Sequence, residues 1–177
     1  MPETYKMHPQ GLYFVTLTVV GGIDVFTRYD YCDLLVDSLN FCIEHKHLRV
    51  YEYAILPSHL YMIAGVEQGN LPKVLRDFKS SSAKQILRAI AEHPEESRKE
   101  WLLRMFQFFA NRYQHNSEHH FWQFGNQPID LDKLAEKTLP APSALDQILK
   151  ARLVDEPFHY LYCSAYAHQK VKLAGKL

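Results

Sequence analysis

A histidine and a tyrosine, His59 and Tyr61, stand two residues apart in the middle of the chain and carry its most informative chemistry. They lie in an apolar run that follows Pro57-Ser58, and the run predicts a strand with both side chains on one face. An imidazole and a phenol about 6.6 Å apart along a strand could together hold a divalent metal that polarises a phosphate. A lone strand histidine is more often a hydrogen-bonded core residue, so both interpretations stay open here.

Five cations are spread along a helix that the sequence predicts over residues 71–91, and they could bind a nucleic-acid backbone. They are Lys73, Arg76, Lys79, Lys84 and Arg88. Asn70 is a good N-cap for this helix, and Pro72 is tolerated in its first turn. Asp77 and Glu92 dilute the charge, and a charged helix face is often only solvated. We predict a DNA-binding face here, with a solvated face as the alternative.

Two further groups of residues lie close together before and within a short aromatic segment. The first group is His115, His119 and His120. It could hold a metal, but it lies in a polar loop, so surface histidines are the simpler interpretation. The second group is Phe121, Trp122 and Phe124. These rings could stack bases, although core packing is the simpler interpretation.

Composition excludes several classes of protein. The 177 residues carry 20 basic and 20 acidic side chains, so a nucleic-acid partner would be bound by a local patch and not by a global field. Three cysteines without Cys-x-x-Cys spacing indicate neither a disulfide framework nor a structural zinc site. The first residues lack the apolar core of a signal peptide, and no apolar run approaches the ~18 residues of a membrane span. We therefore expect a cytoplasmic protein.

The order of predicted elements indicates the fold class. A buried strand over 12–20 precedes a helix for which Thr27 and Asp30 resemble a capping pair, and two strands follow around Pro57. The helix over 71–91 comes next, then a helix over 95–113 with Trp101 among its inward residues. A short extended segment and two C-terminal helices complete the chain, and a basic tail over 168–177 is expected to fray. We predict one α+β domain over 1–177, an antiparallel sheet with helices packed on one face.

Five segments together resemble a known family, the IS200-like single-tyrosine transposases in their REP-associated branch. They are LYFVTLTVVGGIDVFTR, LPSHLYMIA, LRDFKSSSAKQI, FWQFGNQPIDL and LVDEPFHYLYCSA, and they span about residues 11–166. The resemblance implies a ferredoxin-like fold with extra C-terminal helices, a dimer, and binding of hairpin or single-stranded DNA ends. It also implies two histidines around one apolar residue (the HUH motif) that hold Mg²⁺ or Mn²⁺ with a third ligand. A helix tyrosine then attacks the DNA and becomes joined to it.

The resemblance breaks at the positions that carry this chemistry. His59 falls on the first metal histidine, whereas Tyr61 falls on the second, and a neutral phenol is a poor ligand for Mg²⁺. Counting back from Pro157, the family's tyrosine falls on Ser143, and Gln147 falls on the third ligand. We expect this metal site to be degenerate and to bind metal weakly or not at all.

These substitutions lead to three functional hypotheses. The preferred one is a transposase-like DNA-binding protein, derived from enzymes of DNA transposition and recombination, that has lost strand cleavage. The second is an active metal-dependent strand transferase with substituted residues, in which Ser143 or Tyr61 would act as the nucleophile. The third is an interaction scaffold without a DNA role.

Overall fold

The computed structural model describes residues 7–114 and 117–175, which contain a four-stranded antiparallel sheet. The strands are β1 (Tyr13–Thr18), β2 (Leu48–Leu56), β3 (His59–Val66) and β4 (Ile129–Asp130), in the order β2-β3-β1-β4. Helix α1 (Tyr29–His45) connects β1 to β2, and α2 (Leu71–Glu92) and α3 (Lys99–Arg112) connect β3 to β4. Short helices α4 (Leu131–Glu136) and α5 (Ala144–Lys150) follow. This strand order is the ferredoxin-like one, and it confirms the predicted α+β class.

One face of the sheet forms the main core. Alternate residues of the three long strands project to this face, and helices α1, α2 and α3 supply the opposing apolar stripes. The fully buried side chains of this layer include Tyr31, Leu35, Leu39, Tyr53, Leu60, Met62, Phe78 and Phe106. The predicted packing of helices on one face is therefore observed.

The opposite face is partly covered by the C-terminal helices. Phe14 of β1, Ala54 of β2 and Ile63 of β3 project to this side and pack against Ala144 and Ile148 of α5. Because side chains alternate along a strand, His59 and Tyr61 share this face with Ile63. The extra C-terminal helices thus place their residues over the strand that carries the His59/Tyr61 pair.

The C-terminal segment, residues 160–174, runs along the outer edge of β2. Backbone hydrogen bonds join Ile55 N to Tyr162 O at 2.9 Å and Ala174 N to Val50 O at 2.8 Å. Val171 is 1% exposed, and Lys172 is paired with Glu44. The expectation that the tail frays from residue 168 is therefore wrong as far as residue 175, because a buried valine and backbone hydrogen bonds anchor it.

The structure confirms some of the predictions made from local sequence signals and contradicts others. The Asn70 cap is confirmed, since its Oδ1 accepts the N–H of Lys73 at 3.0 Å. The capping pair before α1 is wrong: the N-cap position is Arg28, with no side-chain cap, and the Thr27 hydroxyl instead accepts from Arg98. Trp101, predicted to point inward, is 51% exposed. None of the helices described in 7–114 and 117–175 is long and apolar enough to cross a membrane.

Candidate functional site

His59 and Tyr61 form a stacked pair on the α5 side of the sheet. Their ring planes are 8° apart and their centroids 5.4 Å apart. Phe14 of the neighbouring strand also stacks on Tyr61, with 6.0 Å between centroids. The two half-buried rings of β3 and the buried ring of Phe14 thus form a short column across the two central strands.

The surroundings of the pair favour the neutral form of both side chains. Burial lowers the pKa of His59, and the carboxylate of Asp24 opposes this only in part. Burial also raises the pKa of the Tyr61 phenol. The Nδ1 atom of His59 lies 2.8 Å from the hydroxyl of Ser58.

Ser143 is the N-cap residue of α5 and is tied to the sheet through Glu52. Its hydroxyl donates to Glu52 Oε1 at 2.8 Å, and the N–H of Ala144 donates to the same oxygen at 2.5 Å. The hydroxyl oxygen in turn accepts the N–H of Leu145 at 3.1 Å. A carboxylate at a helix N-terminus satisfies orphan N–H groups and interacts favourably with the helix dipole. Glu52 therefore fixes the start of α5 on β2.

The four predicted positions lie on one side of the sheet but do not form a connected cluster. Glu52, the partner of Ser143, pairs across the ladder with Ile63, two residues beyond Tyr61 on the same face. Gln147, one turn along α5, donates to the backbone oxygen of Ser143 at 3.4 Å. In the part of the chain that the structure describes, no hydrogen bond joins His59 or Tyr61 to either α5 residue.

The donor set does not fit a magnesium or manganese site. A neutral phenol with a raised pKa is a weak ligand for a hard divalent cation, which prefers carboxylate and carbonyl oxygens. The amide nitrogen of Gln147 is turned toward backbone. Within residues 7–114 and 117–175, no group of three or more histidine, cysteine, aspartate or glutamate side chains could hold a metal ion.

The five cations of α2 differ in their exposure to solvent. Lys73, Arg76, Lys84 and Arg88 are exposed, although Arg88 pairs with Glu92 at 2.8 Å. Lys79 points inward, and its amine donates to the backbone oxygens of Gln123 and Gly125 at 2.6 and 3.1 Å. Burial lowers the pKa of Lys79 to about 8. Lys79 therefore holds the segment after Trp122 against the helix, a role that the sequence prediction of a DNA contact did not include.

A groove runs between α2 and the segment 117–124. Its volume is about 590 Å³, and Arg76, Lys84, Ala83 and Leu87 line it on the helix side. Phe124 lies on the opposite wall and is 64% exposed, whereas Phe121 and Trp122 of the predicted aromatic group are buried. The interpretation as core packing is therefore confirmed for Phe121 and Trp122 and is wrong for Phe124.

The predicted histidine group is only partly described. His115 lies outside the described residues. His119 and His120 line the groove, and the rings of His120 and Phe124 are 4.6 Å apart.

No family model matches the chain, and no curated protein matches it. Solved structures with distant similarity to this chain include the following one. It is a REP-associated tyrosine transposase bound to a REP hairpin, with 15% sequence identity and a TM-score of 0.39 over 81% of this chain and 93% of that one.

Proposed function

We propose that this protein is a DNA-binding protein of the IS200-like transposase type that binds hairpin or single-stranded DNA ends and has lost strand cleavage. The observation that carries the proposal is the shared sheet face: helix α5, which has Ser143 at its N-cap and contains Gln147, packs on the same side of the sheet as the His59/Tyr61 pair. The sequence resemblance requires this arrangement of its four site positions. The fold therefore supports the inherited location of the site, and the side chains at it differ from those of an active enzyme.

Loss of cleavage is supported by the roles that the substituted residues have acquired. Tyr61 packs between two rings, which orders its phenol as part of an aromatic column. The Ser143 hydroxyl accepts one hydrogen bond and donates another as a helix cap. Both side chains thus have structural partners in place of the metal and phosphate contacts that the resemblance implies.

DNA binding is supported by the exposed cations of α2. Lys73, Arg76 and Lys84 are exposed, and although Arg76 lies 3.7 Å from the Asp77 carboxylate, each could neutralise a phosphate and release its counterions. We further propose that the protein acts in the cytoplasm as a homodimer.

Salt-dependent binding tests the DNA proposal. Anisotropy of a labelled DNA hairpin is measured between 50 and 300 mM KCl for the wild-type protein and for the triple variant K73Q/R76Q/K84Q. Each lost phosphate contact should reduce the slope of log K against log salt by about 0.7 to 0.9, so we expect the triple variant to lose roughly two to three units of slope. A variant at an exposed cation on α3, Arg104→Gln, serves as the matched control. Binding that does not depend on salt would favour the interaction scaffold.

An active enzyme with a serine nucleophile is the second candidate, and the Ser143–Glu52 hydrogen bond favours it. A carboxylate 2.8 Å from a hydroxyl could accept its proton as the oxygen attacks a phosphate. Incubation with 5′- and 3′-labelled hairpin DNA and Mn²⁺, followed by denaturing gel electrophoresis, separates the two candidates. We expect no covalent adduct, and an adduct that disappears in Ser143→Ala would establish cleavage.

A further inference from the structure

The outward face of α3 carries a line of four side chains at the spacing of paired helices. We call this line the α3 seam, and it consists of Trp101, Met105, Phe108 and Arg112. Trp101 and Phe108 are 51% and 50% exposed, Met105 is half-buried, and Arg112 is exposed. Steps of four, three and four residues keep side chains on one side of a helix, as the a and d positions do in a coiled coil. Large apolar side chains grouped on a surface in this way mark a site that another protein covers.

The opposite face of α3 is anchored, which keeps the seam turned outward. Leu102, Phe106 and Ala110 are buried against the rest of the protein. On the flank, the ring of Phe109 lies so close to Gly21 that a Cβ added there would be 2.6 Å from Phe109 Cζ. The helix therefore has no room to rotate and bury the seam. A partner would meet a surface that is already in place, which favours affinity.

The seam is complementary to itself when two copies of α3 lie antiparallel. With a twofold axis passing between residues 106 and 107, Trp101 faces the partner's Arg112 and Met105 faces the partner's Phe108. A guanidinium over an indole is a cation–π contact, and a thioether beside an aromatic ring is also favourable. Each contact occurs twice because the interface is symmetric. One short seam thus supplies four matched contacts.

The charges beside the seam agree with the same direction. Glu100 and Arg112 lie near opposite ends of α3, and neither makes an ion pair with another residue in the described part of the chain. Antiparallel pairing brings Glu100 to within one residue step of the partner's Arg112, about 1.5 Å along the axis. The two Arg104 side chains would be five steps apart, about 7.5 Å. Parallel pairing would instead set like charges side by side at all three positions.

The charge order also favours a second copy over an unrelated acidic helix or a nucleic acid. Either of those would neutralise Arg112, but it would place negative charge beside Glu100. The 14 residues of α3 extend about 21 Å, and two helices of that length bury less than a standard interface of about 1,600 Å². We therefore expect a weak dimer that depends on protein concentration.

We propose that α3 of one copy pairs antiparallel with α3 of a second copy through the α3 seam. This rests on the proposed homodimer and assigns its interface.

The first test measures association by sedimentation equilibrium at protein concentrations from about 5 to 500 µM, the range of a weak interface. We expect the wild-type protein to show a monomer–dimer equilibrium. Trp101→Ala and Phe108→Ala should each raise the dimer dissociation constant about tenfold, because each removes two symmetric contacts. Phe41→Ala removes a comparably exposed ring from α1, 52% exposed, and is the matched control with no expected change. Thermal melting establishes that each variant is folded.

The second test reverses the charges and is specific to the antiparallel direction. Glu100→Arg and Arg112→Glu should each weaken association, and the double variant E100R/R112E should restore most of it. A double variant that associates no better than the single variants would overturn the proposed pairing.

The remaining outcomes separate this interface from the homodimer itself. A wild-type dimer that the seam variants do not weaken would overturn the α3 interface and leave the homodimer intact. A wild-type protein that stays monomeric throughout the concentration range would overturn both. Loss of hairpin affinity in Phe108→Ala with unchanged association would make the seam a nucleic-acid surface and also overturn the proposal.

Discussion

The hydroxyl of Ser143 donates a hydrogen bond to Glu52 across 2.8 Å, and this contact fastens the first turn of α5 to strand β2. The position that the sequence resemblance assigns to a nucleophile is thereby occupied by a helix cap. Nothing local in the sequence indicates that Glu52 would meet this partner, which is 91 residues away in the chain.

Ser143→Ala should lower stability and leave DNA affinity unchanged. The substitution removes a helix cap and one hydrogen bond to a carboxylate, a loss of about 1 kcal/mol. For a chain of this size that corresponds to a fall in Tm of about 2–4 °C. Thermal melting and hairpin anisotropy measure the two effects. Ser97→Ala, at an exposed serine outside the helices, is the control, and a fall in affinity without a fall in Tm would contradict the capping role.

Tyr61→His should create a metal site. A second imidazole beside His59 would supply a neutral nitrogen ligand where the wild-type protein has a phenol that stays protonated. We expect Mn²⁺ affinity to rise at least tenfold, about 1.4 kcal/mol, as measured by titration calorimetry. The matched control Tyr61→Phe should keep the weak affinity of the wild type. If Tyr61→His gains nothing, the sheet face does not retain the geometry of a metal site.

Acid sensitivity should depend on Glu96, a carboxylate that is 5% exposed between Arg28 and Arg98. Burial alone would raise its pKa, but hydrogen bonds from the backbone and side chain of Arg98 lower the pKa to about 2. Because the unfolded carboxylate has the higher pKa, its contribution is complete above about pH 4.5 and is lost as the pH falls toward 2. Glu96→Gln should therefore be less stable than the wild type at pH 7, by about 3 kcal/mol, and the difference should shrink toward pH 2.

Melting curves at pH 7, 4 and 2.5 for both proteins check this prediction. Glu95→Gln, the adjacent exposed carboxylate, is the control and should follow the wild type throughout. A stability difference between the wild type and Glu96→Gln that stays constant with pH would mean that the ion pairs around Glu96 do not stabilise the fold.

Lys79→Met should loosen the segment that carries Phe124. It removes the donor to Gln123 and Gly125, so we expect faster amide hydrogen exchange over residues 123–126. The pKa of Lys79 is about 8 in the folded protein against an ordinary 10.5, so the unfolded chain binds more protons between these values. Stability of the wild type relative to Lys79→Met should consequently rise from pH 8 to 10, and a fall over that range would contradict a buried amine.

The local sequence pattern was sufficient to predict much of the fold, but it did not reveal the contacts between residues far apart in the chain. Alternation placed His59, Tyr61 and Ile63 on one strand face, and the Asn70 cap followed from residue type. Lys79 was predicted to contact DNA because it lies among the other cations of the helix. The spacing of these cations does not reveal that the Lys79 amine would bind backbone oxygens after Trp122. The tail was expected to fray because its basic residues give no local sign of the acidic partners on α1.

The course of the C-terminal segment also limits how two copies of this chain could associate. An uncovered outer strand is a template on which another chain can extend a sheet. Here residues 162–174 of the same chain fill that template along β2. Two copies could therefore not pair through their β2 edges unless they exchanged these segments, and shortening the chain before Val171 would uncover part of that edge.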